Sequence, residues 1–277
     1  MRQARRGQVN ASCCACSAGP VVEEFATPRV TVFVCRACGH RTARHAATES
    51  NADYHQQYDQ GAFLDALRVT RERQAPRILT WIRAAAPDAT RLLDYGCGRG
   101  WFLDVAKAAG WNVLGVDTSP MAVELLRQRG IPATRELPAS KYEVITLLDV
   151  IEHFRPDDLV PRLSALKADL MIIKVPTSSG LLYRLARGHA LEQLYQVGTE
   201  PPHHHYFNQR SLRHVLSRAG MQVIGVDRDR DFEPSTLAAR AGLRFPLTSL
   251  AGAVAAAAAR VLRMEDSIIA LARPTAA

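Results

Sequence analysis

No stretch of this sequence is long and apolar enough to span a bilayer. The longest apolar run, LTSLAGAVAAAAARVL at residues 247–262, falls short of the roughly 20 residues a spanning helix needs, and much of it is alanine. It reads as a helix packed on the core or at a subunit contact. A secretory signal is also missing: Arg2, Arg5 and Arg6 are followed by polar, cysteine-rich sequence instead of an apolar stretch with a cleavage site, which predicts a soluble, cytoplasmic protein. Nowhere is a Lys/Arg run interleaved with aromatic residues, so the formal charge of +8 leaves nucleic acid a disfavoured partner. Apolar residues are plentiful: at 47% of 277 residues they suffice for one large domain with a small appendage.

Cysteine is scarce except in one place. Five of the six cysteines lie within residues 13–38, as CCAC and CRACGH, and Cys13, Cys16, Cys35 and Cys38 form two C-x-x-C pairs. This spacing suits a tetrahedral zinc site in which two tight turns each present two sulfurs. The apolar pieces PVVEEFA and RVTVFVC between them are expected to fold back as a hairpin, making residues 10–45 a zinc ribbon. The metal is expected to be structural. A segment this small buries little core, whereas zinc binding contributes on the order of 10 kcal/mol. Cys14 leaves alternatives open, either replacing Cys13 in a C-x-C arrangement or remaining a free thiol. In a protein without a secretory signal, disulfides are disfavoured.

A polar connection at 46–62 precedes a helical stretch from about Phe63 to Ala86, with an interruption expected near Pro76. RLLDYGCGRGWFLDVAKAAG then reads as a strand, a glycine turn and a helix. Two common phosphate-binding loops are absent. A dinucleotide loop needs G-x-G-x-x-G, but the third glycine here is Gly100 and Trp101 stands where it would fall; a P-loop needs G-K-[ST], which does not occur. The pattern present is acid-x-G-x-G-x-G, with Asp94 placed to meet a cationic ligand end beside Gly96, Gly98 and Gly100. WNVLGVDTSP follows, a second strand whose tip carries Asp117, an acid suited to a ribose diol. Ser119 and Pro120 are placed to start the next helix. Further strands are expected near 143–148, 170–175, 221–226 and 267–272, giving an α/β chain.

LLDYGCGRG, VLGVDTSP and KYEVITLLDVIEHF resemble the successive motifs of class I S-adenosylmethionine-dependent methyltransferases, and DVIEHF resembles their small-molecule branch. The resemblance implies a Rossmann-like sheet of seven strands, the last antiparallel, over residues 63–277, behind the small four-cysteine zinc ribbon. It implies S-adenosylmethionine as methyl donor, held by Asp94, Gly96, Cys97, Gly98 and Gly100 at the methionine end and by Asp117 and Thr118 at the ribose. Leu148 and Asp149 would touch it from the fourth strand. The chain departs from many relatives before ELP, where Ala133, Thr134 and Arg135 stand in place of an acid for the adenine amino group. In some quinone O-methyltransferases an acid-x-x-Glu-His pattern binds a divalent ion, and Asp149, Glu152 and His153 match it. Cys97 reads as packed, not nucleophilic.

Methyl transfer to a hydroxyl or an acidic C–H requires a base, and histidine suits that task. Two candidates stand out, His153 in DVIEHF and His204 in PPHHHYF at 201–207, with His203 beside the latter. Successive residues of an extended chain point to opposite sides, so three consecutive histidines are not expected to share one ion. The long connection near 177–205 is expected to be a lid or acceptor wall, and Tyr54 and Tyr58 are further candidates to cover the cofactor. The expected acceptor is a small molecule: a sugar, nucleotide-sugar, lipid-linked saccharide or natural product. An RNA methyltransferase is the second reading, although NPPY and a catalytic-cysteine motif are both absent.

Overall fold

Strands that are apolar along their whole length belong in the middle of a parallel sheet, and YEVITLL and ADLMIIKVP have that character. A computed structural model describes residues 8–46, 61–180, 201–228, 257, 261 and 267–275. The two segments form β8 (Tyr142–Leu148) and β9 (Ala168–Pro176), buried at nearly every position. With β5 (Arg91–Tyr95), β6 (Asn112–Val116), β7 (Ala133–Thr134), β11 (Met221–Arg228) and β12 (Ser267–Pro274) they build a seven-stranded sheet of order β11-β12-β9-β8-β5-β6-β7. Only β12 runs against its neighbours, pairing antiparallel with both β9 and β11. The expected Rossmann-like sheet with an antiparallel last strand is therefore present.

Helix α1 (Gly61–Ala85) packs on this sheet and continues through Pro76. The expected interruption does not occur. An interior proline costs about 3 kcal/mol, but Ala75, Ile78 and Ile82 around it are wholly buried, and each large apolar side chain so covered returns about 1.5–3 kcal/mol. Helix α2 (Trp101–Ala108) follows the glycine turn, and α3 (Pro120–Gln128) starts where the sequence implies, with Pro120 in its first turn and Ser119 Oγ accepting from Ala122 N–H at 3.3 Å. Helix α4 (Leu159–Ala165) lies between β8 and β9 in the chain, and α5 (Gln209–Arg218) precedes β11.

The amino-terminal segment forms a second, antiparallel sheet from β1 (Gln8–Ser12), β2 (Pro20–Ala26), β3 (Val30–Cys35) and β4 (Arg41–His45). Its fifth strand, β10 (His205–Tyr206), comes from the far side of the chain: His205 pairs with Thr42 and Tyr206 with Arg41. Tyr206 joins Val30, Val32 and Ala43 in the small core of this sheet. The ribbon is thus joined by backbone hydrogen bonds to the segment that leads into α5. Asn208 extends the joint, because its Oδ1 caps α5 by accepting from Ser211 N–H at 2.9 Å while its Nδ2 donates to Cys38 O at 3.0 Å.

Most of the 46–62 connection with Tyr54 and Tyr58, residues 181–200 of the expected lid, and the alanine-rich run apart from 257 and 261 lie outside the described residues. Among the described residues no helix is long and apolar enough to cross a membrane.

Gly96 is the tightest point of the turn after β5. Its φ of +75° is left-handed, and a Cβ there would come within 2.5 Å of Val150 Cγ2, a β-branched side chain with little freedom to yield. Gly96→Ala is therefore expected to destabilise the protein by about 2–4 kcal/mol through backbone strain and overpacking, read as a lower urea midpoint at unchanged slope. A change below about 0.5 kcal/mol would contradict this packing.

Candidate functional site

The carboxyl ends of β5, β6 and β8 meet at one edge of the large sheet, where open α/β folds bind ligands. The glycine turn is held there by its own backbone: Gly96 and Cys97 N–H both donate to Val116 O, at 2.7 and 3.1 Å. Asp117, buried at the tip of β6, accepts from Gly98 N–H at 2.8 Å and from Ser119 N–H at 2.9 Å. One carboxylate thereby fixes both the turn and the start of α3. Gly98 has a φ of +50°, and a Cβ placed on it would meet no atom within 4 Å, so the turn presents bare backbone to open space. Thr118 is exposed beside it, its carbonyl accepting from Arg135 Nε at 3.2 Å.

Asp94 lies beneath this turn, 3% exposed, and accepts from Thr146 Oγ1 at 2.6 Å. Burial pushes its carboxyl up to about 7, against the lowering effects of Thr146 and Arg71. Cys97 is buried, and burial followed by the nearby Asp94 charge raises its thiol far out of the nucleophilic range, in keeping with a packed side chain.

Asp149 takes a φ of +59° just beyond β8. Lys174 Nζ donates to both its oxygens, at 2.8 and 2.7 Å, and Arg71 donates to Oδ2 and also to Leu148 O at 3.0 Å. Burial raises this carboxyl, but Lys174 and then Arg71 outweigh it and hold it below the usual carboxylate range. Lys174 signals itself in the sequence as a single charge in MIIKVP. Arg71 carries no such signal, because its role depends on α1 crossing the end of β8.

The Asp149, Glu152 and His153 set is not what the fold brings together. A 3₁₀ turn at Ile151–His153 places Glu152 and His153 beside His203, so that one ligand atom from each of the three lies within 4.8 Å of the others, while Asp149 is engaged by Lys174 and Arg71. Glu152 is wholly buried, and neither carboxylate oxygen has a hydrogen-bond partner among the described residues. Burial and then the Asp149 charge push it well above the ordinary carboxyl range, favouring the protonated form. His153 Nδ1 faces Pro202 O at 3.2 Å, and burial lowers the pKa of its ring. The proton thus belongs on Nδ1 and the lone pair on Nε2. The His203 ring stands edge-on to His153, 4.5 Å between centroids.

The three histidines of PPHHHYF go to three different places. His203 faces His153, the His204 ring packs edge-on against His45 of the ribbon at 5.5 Å, and His205 is buried against His40. His204 takes part in the site through its backbone, donating to Glu152 O at 2.7 Å. The connection that leads into this stretch has its ends closed together, with Thr177 Oγ1 and Ser178 N–H donating to Phe207 O at 2.9 and 2.8 Å.

At the ribbon's end, Cys13 and Cys38 sulfurs lie 3.7 Å apart, as do those of Cys16 and Cys35, and all four fall within 4.8 Å of one another. Zn–S bonds of about 2.3 Å in a tetrahedron set sulfurs about 3.8 Å apart, so the set fits zinc and is too open for disulfides. Cys14 stands outside it, turned toward Thr42 and His205.

A family model described as a methyltransferase domain matches residues 67–226, more than half of the chain. Among curated proteins, the chain is 24% identical over 181 residues to a ubiquinone biosynthesis O-methyltransferase from Bordetella avium, covering 58% of this chain and 74% of that one. It is 32% identical over 78 residues to a ribosomal protein L11 methyltransferase from Burkholderia thailandensis, a match of only 24% of this chain and 25% of that one. Among solved structures, magnesium protoporphyrin IX methyltransferase from Synechocystis PCC 6803 with bound SAM superposes with a TM-score of 0.50 at 13% identity, covering 82% of this chain and 100% of that one. That likeness concerns the fold.

A ligand whose ammonium group met Asp94 would bind with a pH dependence set by that carboxyl. Its folded-state value near 7 lies above the ordinary 3.8, so it is ionised above about pH 7, and a ligand with an ammonium group favours the ionised form. Calorimetric affinity for S-adenosylhomocysteine is expected to rise from pH 6 to 8, by up to about tenfold per unit below the pKa, and Asp94→Asn should flatten the profile. Without ligand the sign reverses: the proton retained on folding stabilises fully below about 3.8, and this contribution is lost as pH rises through about 7. A pH-independent affinity in the parent would contradict the placement of Asp94.

Proposed function

The chain belongs to the class I S-adenosylmethionine-dependent methyltransferases, and on that premise we propose that it methylates a small-molecule acceptor: a sugar, nucleotide-sugar, lipid-linked saccharide or natural product. The observation that carries this reading is the adjacency of two different surfaces at one sheet edge, a glycine turn pinned by Asp117 and a buried Glu152, His153 and His203 cluster. S-adenosylmethionine supplies an activated methyl group on a sulfonium. The protein has to hold the donor, orient the nucleophile in line with the methyl carbon, and accept a proton.

Asp94, Gly96, Cys97, Gly98 and Gly100 hold the amino-acid end of the donor in this account, and Asp117 with Thr118 the ribose. Leu148 forms the wall from β8. Asp149 acts through Lys174 and Arg71, fixing the strand end more than it touches the donor. His153 is the base: its Nδ1 is engaged by Pro202 O and its Nε2 is left to receive the acceptor's proton. His203 is the second histidine of the site in place of His204, whose ring turns to the ribbon. Protonated Glu152 donates a hydrogen bond to the acceptor. The name of the Bordetella relative, which the chain matches over most of that protein's length, supports a small acceptor. The L11 methyltransferases match over too short a region to argue for a protein substrate.

We also assign a structural zinc to Cys13, Cys16, Cys35 and Cys38, which supports the ribbon on which β10 is built. Six cysteines and no disulfide among them fit a reducing compartment such as the cytoplasm.

Transfer of labelled methyl from S-adenosylmethionine into a small-molecule extract, followed by identification of the product, tests the acceptor class; label appearing only in RNA or protein would overturn it. With that acceptor, His153→Ala is expected to lower kcat by about 10²–10⁴-fold while the affinity for S-adenosylhomocysteine stays within about twofold. Full activity in the variant would remove His153 from the mechanism.

A further inference from the structure

Cys14 and His205 are both left over by the sites described above, and they meet. Cys14 Sγ lies 3.9 Å from His205 Nδ1, and that nitrogen lies 3.1 Å from His40 Nε2. One donor atom from each of the three falls within 4.8 Å of the others. On a tetrahedral zinc ion with Zn–N about 2.0–2.1 Å and Zn–S about 2.3 Å, two imidazole nitrogens sit about 3.3 Å apart and nitrogen and sulfur about 3.6 Å apart. We propose that Cys14, His40 and His205 form a second zinc site, distinct from the four-cysteine set, which clamps the ribbon to the catalytic domain.

An ordinary hydrogen bond between the two rings would use the same two nitrogens; the third donor, Cys14 Sγ facing His205 Nδ1, is what an ion adds. Ser211 Oγ accepts from Asn208 N–H at 3.0 Å and donates its one hydrogen to Asn208 O at 3.1 Å. What it can offer His40 Nδ1, 3.4 Å away, is a lone pair, which calls for the proton on Nδ1. His40 Nε2 then turns a lone pair toward His205 Nδ1. A metal-bound histidine whose other nitrogen donates to an oxygen has this arrangement. His205 is wholly buried, its Nδ1 facing His40 and Cys14 and its ring next to the Phe154 and Arg155 backbone.

The two sites lie side by side. Cys13 and Cys14 are adjacent in the chain with their thiols close together, Cys13 also reaching Cys38 and Cys14 reaching His205. Cys38 and His40 divide in the same way. The two ribbon turns thus supply ligands to both ions, and His205 supplies the link to the catalytic domain. His203, two residues before it, borders the Glu152 and His153 cluster, so the clamp fixes the strand that carries the acceptor side.

Metal analysis of the full chain purified from zinc-supplemented cells tests this without any activity measurement. Two zinc ions per chain are expected, falling by one in both Cys14→Ser and His205→Phe, while His205→Cys restores the full content because a thiolate replaces the imidazole. His205→Phe keeps the buried volume close to that of the parent and is paired with circular dichroism to establish folding. One zinc per chain in the parent would overturn the proposal, and this holds even if every variant fails to fold. A second zinc that persists in folded Cys14→Ser and His205→Phe would overturn it as well, by locating that ion elsewhere.

Discussion

The pairing of His205 and Tyr206 with Thr42 and Arg41 is the contact on which the functional end of this molecule depends. It is a short ladder, and its strength comes from what surrounds it. Tyr206 fills the ribbon's small core, Asn208 caps α5 and holds Cys38 O, and Arg41 pairs with Glu24 through both carboxylate oxygens at 2.6 and 2.8 Å. The two-residue strand fixes its neighbours by alternation: His205 faces His40 on one side, the His204 ring meets His45 on the other, and His203 falls beside His153. The zinc proposed for the four cysteines would therefore be structural in a directed sense, since the ribbon sheet includes a strand of the catalytic domain.

A second constraint shapes the donor side. Asp117 joins the glycine turn to α3, and the cluster of Lys174, Asp149 and Arg71 ties α1 and β9 to the end of β8. Both are buried or half-buried carboxylates with partners already in place, which is the preorganisation that in-line transfer demands. Glu152 is the contrast. It is buried next to these groups with its oxygens unpartnered among the described residues, an arrangement expensive to fold and useful to a reaction.

Much of this was legible in the sequence because the signals are local. Strand, glycine turn, helix, strand and acid fall within a single run from Leu92 to Asp117, and the zinc ligands come as two close pairs. Ser119 and Pro120 announce a helix start at the very next residues after that acid. What was not legible depends on contacts between distant parts of the chain. The continuity of α1 through Pro76 follows from burial against the sheet, the engagement of Asp149 from Arg71 on another element, and the choice of His203 over His204 from a ladder linking residue 205 to residue 42. Alternation along the histidine run was foreseeable, but which face meets which neighbour was not.

The central claim is that the glycine turn and Asp117 bind S-adenosylmethionine, and ligand-induced stabilisation tests it most directly. At about 100 times its dissociation constant a ligand adds about 2.7 kcal/mol to a folded protein, which for a chain of this size raises the melting temperature by about 5–10 °C. A rise of that order is expected with S-adenosylmethionine or S-adenosylhomocysteine in the parent protein, and none in Asp117→Ala. An unchanged melting temperature in the parent at saturating ligand would contradict the claim.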